Sequence, residues 1–403
     1  MQSLWTPLFS FAVFVIVFAF GDLVAEKTKG LVSSIIIGAA VYLVGFWTKI
    51  IPASSLTDTT LPAMMSAFGI AILLVHVGTI INLEDLLKEW KTVLIALIGL
   101  VGLAAISFTL STMLFGREYA LSAASPIAGG VIAGVITNES AVAAGKPELG
   151  GFAMLVVAFQ MFIGMPIASF LLKKEANKLV KSGTLDLSGD SADKKKKINL
   201  RFIPPMPKSL STSSWIIGRV AIVAAIAAIL ANFTAIPGSN PTNYILNPNI
   251  AYLLFGILFC EFGFLEKNAL NKANAYGFVG IALMSIVPGS FASISFKAFL
   301  GMIYPLIGTL ILGSIGIAVF AVIAGKLLGY SPAMSITIGL TALIGYPGTQ
   351  VITNEVTNGL DASDEEKAAV SEILLPKMLV GGFTTVTIAS VVFAGIIAPM
   401  IFK

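Results

Sequence analysis

Charge is scarce in this chain. Of 403 residues only 11% are Asp, Glu, Lys or Arg, while 57% are hydrophobic. A soluble domain carries about one quarter charged residues, so an ordinary soluble globule is excluded. Cysteine occurs once, at Cys260, which rules out an internal disulfide and any cysteine-rich metal centre. Histidine also occurs once, at His76, which argues against a His-based zinc site. With one of each, no nucleophile–base pair is visible, and an enzyme is not expected. The alternating segments of about ten residues that mark a transmembrane β-barrel are missing. No basic stretch precedes the first apolar run, so that run is expected to be a retained span and not a cleaved leader. A net charge of +4 gives no sign of nucleic-acid binding.

What the chain does have is apolar length. Runs such as TPLFSFAVFVIVFAF and TVLIALIGLVGLAAISFTL approach the ~20 residues that cross a bilayer. The expected class is an all-α polytopic membrane protein. Spans are expected near 4–21, 31–48, 61–81, 92–115 and 150–172, then near 213–235, 249–265, 275–296, 299–325 and 368–400. Residues 173–212 separate the two sets and form a polar, lysine-rich linker. Two further segments, 120–145 and 331–357, are apolar but broken by Gly, Pro, Thr and Asn. Each stands between the fourth and fifth span of its set. The chain therefore reads as a duplication, 1–172 and 213–403, a pattern common in secondary transporters.

Orientation follows from basic residues. With both termini outside and each broken segment entering and leaving on one side, Lys27, Lys29, Lys88, Lys91, Lys267, Lys272 and the linker all face the cytoplasm. Five crossings per set is an odd number, so the two sets are inverted repeats. If the broken segments crossed fully, there would be twelve spans and a parallel repeat. Aligned on Ser125-Pro126 and Ser331-Pro332, VITNES (135–140) falls opposite TALIGY (341–346), about ten residues out of step with its near twin QVITNEV (350–356).

Irregular backbone at membrane depth survives only inside protein or beside a wet cavity. Gly129, Gly130 and Gly134 permit tight turns and close approach, and Thr137, Asn138, Glu139 and Ser140 supply oxygens directly after them. In the second segment Gly345, Tyr346, Pro347 and Gly348 make a sharper break, followed by Thr349 and Gln350 at a helix start. A half-helix N-terminus attracts an anion, and free carbonyls suit Na⁺. The expected solute site is Gly129, Gly130, Ser140, Gly345, Tyr346, Gly348, Thr349 and Gln350, with Thr137, Asn138 and Glu139 as Na⁺ ligands. Gly134, Pro347, Asn82, Asn354 and Glu355 are further candidates. Against this stand plainer readings. Glycines also serve close helix packing. Glu139 fits an outside loop, and Glu355 precedes a solvated stretch. His76 fits a packing role, and Asn82 a helix cap.

With these motifs in place, the chain resembles the bacterial sodium/glutamate symporter family and the wider group that includes the 2-hydroxycarboxylate transporters. The resemblance rests on AGGVIAG (128–134), IGYPGTQVITNEV (344–356), VGTIINLEDL (77–86, with Asn82) and PKMLVGGF (376–383). It implies a homodimer in a bacterial inner membrane, Na⁺ as coupling ion, and glutamate-like solutes moved by alternating access. The first loop is less rich in Gly and Ser than in the glutamate symporters, and no arginines for a citrate-like substrate are evident. The expected function is Na⁺-coupled symport of a small anionic or zwitterionic solute, a carboxylate or an amino acid. The alternatives are H⁺ coupling, and an antiporter or amino-acid exporter in which Glu139 titrates.

Overall fold

The computed structural model describes residues 4–28, 32–81, 83–182, 202–204, 207, 211–236, 244–345 and 348–401. Asn82, Tyr346, Pro347 and most of the 173–212 linker lie outside the described residues. Among those described, regular structure is helical, apart from one isolated bridge between Ala235 and Tyr244. Among the described residues, nine helices are long and apolar enough to cross a bilayer. The chain is an all-α polytopic membrane protein.

The helices begin where the sequence offers caps. The Thr6 and Ser33 hydroxyls accept from the backbone N–H groups of Phe9 and Ile36 and open α1 (Pro7–Lys27) and α2 (Ser34–Trp47). Pro7 sits at the first helical position, where a missing N–H costs nothing. Next come α3 (Leu61–Ile80), α4 (Trp90–Phe115), α5 (Arg117–Ala143) and α6 (Pro147–Lys181). The second set is α7 (Ser213–Phe233), α8 (Pro248–Glu261), α9 (Tyr276–Ser293) and α10 (Phe296–Leu328). It ends with α11 (Pro332–Ile344), α12 (Gly348–Asn358) and α13 (Asp364–Ile401). A capping box between Ser363 and Glu366 starts α13. Among the described residues, three helices contain a π turn: Met65–Gly69 in α3, Ser107–Ser111 in α4 and Thr384–Ala389 in α13.

Helices in lipid gain little from apolar burial against each other, so close packing through small residues takes its place. Such crossings join the first set to the second, and two of them pair glycine with glycine. Where α4 crosses α10, a Cβ on Gly316 would lie 2.6 Å from the Gly102 carbonyl oxygen, and a Cβ on Gly102 2.7 Å from Phe320 Cβ. Where α3 crosses α8, a Cβ on Gly78 would lie 2.7 Å from the Gly256 carbonyl carbon. A polar clamp supports the second crossing. The His76 Nδ1 accepts from the Leu270 N–H at 3.1 Å, and the Thr79 hydroxyl accepts from the Ala269 N–H at 3.2 Å.

The two broken segments are the elements that apolar length alone does not explain. In α5 the helical dihedrals fail at Gly129 and Gly130. Its ends come together: Glu118 in the first turn forms an ion pair with Lys146 beyond the last, and the Tyr119 ring stands edge-on to Phe152 at 4.8 Å. A straight helix of this length would hold its ends about 40 Å apart, so the chain doubles back at the glycines. In the second segment Ser331 caps α11 and its hydroxyl bonds Glu175, near the end of α6. Beyond α12, Leu360 and Val370 join an apolar cluster with Leu172 and Ala176 of the same stretch of α6.

The Ser-Pro alignment does not hold in three dimensions. Ser331-Pro332 is a helix start, but Ser125-Pro126 lies inside α5, just before its break. Counted from the break, the register changes. Gly130 and Gly345 are the residues with positive φ, at 71° and 68°. Thr137 follows the first by seven residues and Thr353 follows the second by eight. The two Val-Ile-Thr-Asn-Glu copies thus stand at matching places, each on the helix that restarts after a break. Their threonines even bond alike: Thr137 donates to the Ala133 carbonyl at 3.0 Å and Thr353 to the Thr349 carbonyl at 2.7 Å.

Filling the α4–α10 crossing is expected to be costly. Gly316→Leu should destabilise the protein by about 1–3 kcal/mol or more, read as a lower melting temperature in detergent. Gly301→Ala, on the same helix with no atom within 4 Å of the added Cβ, should leave it unchanged or slightly raised.

Candidate functional site

Each break is shaped by a different demand on glycine. Gly130 and Gly345 have left-handed dihedrals that a side chain disfavours. Gly129 is extended, at φ −176°, and needs glycine for space: a Cβ there would overlap the Ser390 side chain and lie 3.0 Å from the Thr385 carbonyl oxygen.

Two irregular points in neighbouring helices hold both breaks. One is the π turn of α13. Thr385 and Ser390 flank Gly129, and Val386 Cγ2 lies 3.0 Å from where a Gly345 Cβ would be. The other is the bend in α6 at Gln160, where the helices Pro147–Phe159 and Met161–Lys181 meet. The Gln160 Nε2 lies 3.5 Å from a Cβ built on Gly130, and Met161 Cε 3.6 Å from one built on Gly348. Just beyond the bend, Gly164 lets Leu343 approach, with Leu343 Cβ 2.8 Å from its would-be Cβ.

A cavity of about 750 Å³ opens where these pieces meet. Gly130 and Val131 line it from the first break, and Gly345 and Gly348 from the second. Gln160 and Met161 line it from the α6 bend, and Val386 from the π turn. Its mouth is formed by Glu26 at the end of α1, Ser33 and Ser34 at the start of α2, and Glu355 on α12. The volume is in the range of small-molecule sites.

Polar atoms around the breaks are unusually short of partners. The Gln160 Oε1 is buried without a hydrogen bond, as are the hydroxyls of Thr349 and Thr384. Thr341 and Thr385, both fully buried, face each other at 3.5 Å. Buried polar groups are normally satisfied, and a cluster of exceptions calls for a cause. Near the breaks the oxygen donors are hydroxyls and backbone carbonyls. Among the described residues no group of three or more His, Cys, Asp or Glu could hold a metal ion.

The residues expected from sequence divide clearly. Gly130, Gly345 and Gly348 line the cavity, with Gly129 directly behind. Thr349 is buried at the start of α12, its hydroxyl 2.8 Å from where a Gly382 Cβ would be. Gln350 is half-buried on the same turn and Asn354 is exposed; neither lines the cavity, whereas Glu355 does. Gly134 packs α5 against Val157 and Met154 of α6. Thr137, Asn138, Glu139 and Ser140 lie two or more turns beyond the break, off the cavity. Thr137 and Ser140 donate to their own helix. Asn138 packs on Gly150, and Glu139 bonds Ser66 in the π turn of α3. These four do not converge with the cavity-lining set.

Gln160, Thr341, Thr384 and Thr385 were not anticipated. Gln160 did leave a trace, as the single polar side chain in the run 149–168. The threonine pair follows a double glycine, Gly381-Gly382, which signals close approach. No family model matches the sequence, and no curated protein does.

Side chains at the left-handed glycines should deform the cavity. Gly345→Ala is expected to cost about 1–2 kcal/mol in backbone strain and to abolish solute binding, measured as lost ligand-induced thermal stabilisation. Gly145→Ala, left-handed but in open space away from the cavity, should cost similar stability and keep binding.

Proposed function

We propose that this chain is a secondary active transporter, moving a small carboxylate or amino acid by alternating access and coupled to Na⁺. The observation that carries the reading is the meeting of two helix breaks at one cavity. Broken helices at a midplane are the usual means by which transporters present backbone dipoles to a solute and carbonyls to an ion. In this reading both broken segments are re-entrant, one from each side, and the halves are inverted repeats. The joined ends of α5 and the shared contacts of 331 and 360 with the end of α6 support it. So does the matched placement of the two Val-Ile-Thr-Asn-Glu copies.

The linker and the mouth are then cytoplasmic, the termini outside, and the cavity is in its inward-open state. A bacterial inner membrane and a homodimer accord with the resemblance to sodium/glutamate symporters. The buried hydroxyls of Thr341, Thr349, Thr384 and Thr385 offer the kind of oxygen that Na⁺ takes. H⁺ is the alternative coupling ion. An antiporter built on Glu139 draws less support, because that carboxylate stands off the cavity.

Purified protein in liposomes is expected to accumulate amino acids or small carboxylates under an inward Na⁺ gradient and to lose accumulation when a Na⁺ ionophore collapses it. Absence of uptake under every imposed Na⁺ or H⁺ gradient would refute the proposal. Sidedness has a separate check. Cys260 is buried, so the background for labelling is low. Val351→Cys should react with an impermeant maleimide from the cytoplasmic face only, and labelling from the outside alone would reverse the topology.

A further inference from the structure

Two buried oxygens meet in this fold with no hydrogen between them. Thr341, near the end of α11, and Thr385, in the π turn of α13, are fully buried, and their hydroxyl oxygens stand 3.5 Å apart. Each hydrogen is already placed elsewhere: Thr341 donates to the Ile338 carbonyl at 2.6 Å and Thr385 to the Gly381 carbonyl at 2.9 Å. Lone pairs therefore face lone pairs, at a separation well beyond the about 2.7–2.8 Å of a good O–H···O bond. A third oxygen stands close by. Buried threonines in these helices bond their own backbone, as Thr337, Thr353 and Thr357 do. Thr349, at the start of α12, does not: its hydroxyl is fully buried without a partner. Thr341 and Thr349 flank Gly345 and lean on adjacent glycines of α13. The Thr341 oxygen is 3.1 Å from a Cβ built on Gly381, and the Thr349 oxygen 2.8 Å from one built on Gly382.

We infer that the hydroxyls of Thr341, Thr349 and Thr385 bind a Na⁺ ion, lodged between the second break and the π turn, behind the cavity wall. As the seat of the coupling ion, this site rests on the transporter reading. A cation is what relieves lone pairs turned on one another. Oxygens at right angles around an ion held at about 2.4 Å, the range that Ca²⁺ of similar size takes, stand about 3.4 Å apart. The Thr341–Thr385 spacing of 3.5 Å matches. K⁺ is larger and needs a wider spacing. None of these oxygens titrates, so the site takes a metal ion and is indifferent to H⁺. Gly381 and Gly382 supply the room, since a side chain at either would fill the cradle. Position gives the ion its effect. Ala342 and Gly348, the chain neighbours of Thr341 and Thr349, line the cavity. An ion tied to both sides of the second break and to α13 holds that part of the wall in shape, so ion and solute raise each other's affinity.

The test uses the full-length protein in nanodiscs, without added solute. NaCl replaces choline chloride at constant ionic strength, with KCl as the parallel titration, and Tm is read. Na⁺ should raise Tm saturably, by about 2 °C or more, and K⁺ should not. The half-saturating Na⁺ concentration should be the same at about pH 6 and about pH 8, since no histidine or carboxylate takes part. Thr341→Val and Thr385→Val should each raise that concentration about tenfold. Thr385→Ser should keep the wild-type value, and so should Thr353→Val, whose lost hydroxyl bonds its own helix. Thr349→Val gives a change of sign that a packing role does not. With no partner to lose, it should melt at or above wild type in choline and below wild type in Na⁺. If Thr341→Val or Thr385→Val fails to fold, Thr349→Val decides alone. No Na⁺ response in the wild type, an equal response to K⁺, or a Na⁺ response unchanged in the three valine variants overturns the site. Uptake separates the two readings. Na⁺-driven uptake whose Na⁺ dependence survives the same substitutions overturns this site and leaves the transporter standing. Na⁺ binding that is lost with them, in a protein that moves no solute under any gradient, overturns the transporter reading and the coupling role while the ion site stands.

Discussion

A helix can be interrupted inside a bilayer only where protein covers the interruption, because lipid offers nothing to a free N–H or carbonyl. Much of this structure answers that constraint. The breaks at Gly129–Gly130 and at Gly345 lie deep in the bundle, and the neighbours that cover them are themselves irregular. The π turn Thr384–Ala389 presents a carbonyl to the first break and the Val386 side chain to the second. The Gln160 and Met161 side chains reach the two breaks from α6. π turns are rare and recur at functional sites, and this one is placed with its Thr385 carbonyl against Gly129 and its Val386 side chain against Gly345. Gly130, Gly345 and Gly348 at the two breaks then line one cavity.

The same constraint explains which residues cluster there. Glycine dominates, but for separate reasons: dihedral at Gly130 and Gly345, space at Gly129, Gly164 and Gly382. Threonine supplies the remaining polarity, since its hydroxyl can bond its own helix and still face a neighbour. Thr341 and Thr385 do both. Full charges are kept to the mouth, where water can reach them.

Local signals made part of this legible in the amino-acid order. Spans are written in apolar length, and the breaks in the Gly-Gly and Gly-x-x-Gly patterns at 129–130 and 345–348. What lies across from a break is not local. Gln160 and Thr385 are about 30 and 255 residues from Gly130, and no period or cap links them. Ser-Pro is an unreliable guide for aligning the two broken segments because it has two uses. At 331 it caps a helix, while at 125 it sits within one. Glu139 and Glu355 share a spelling but not an environment. One meets Ser66 of a packed helix and the other lines the cavity with Glu26, a difference set by neighbours far along the chain.

The close crossing of α4 and α10 has a mechanical consequence. Gly102 and Gly316 bring backbone against backbone, with Phe320 closing over Gly102 and Ile106 over Gly316. Such a joint resists being pulled apart, since close contact over many atoms is lost at once. It resists a change of angle as well, because Leu103 packs on Gly313 and Ile317 on Gly99 along the same seam and these side chains would have to climb out of their grooves. The crossing therefore locks α4 and α10 into one rigid pair, a fixed strut between distant parts of the chain.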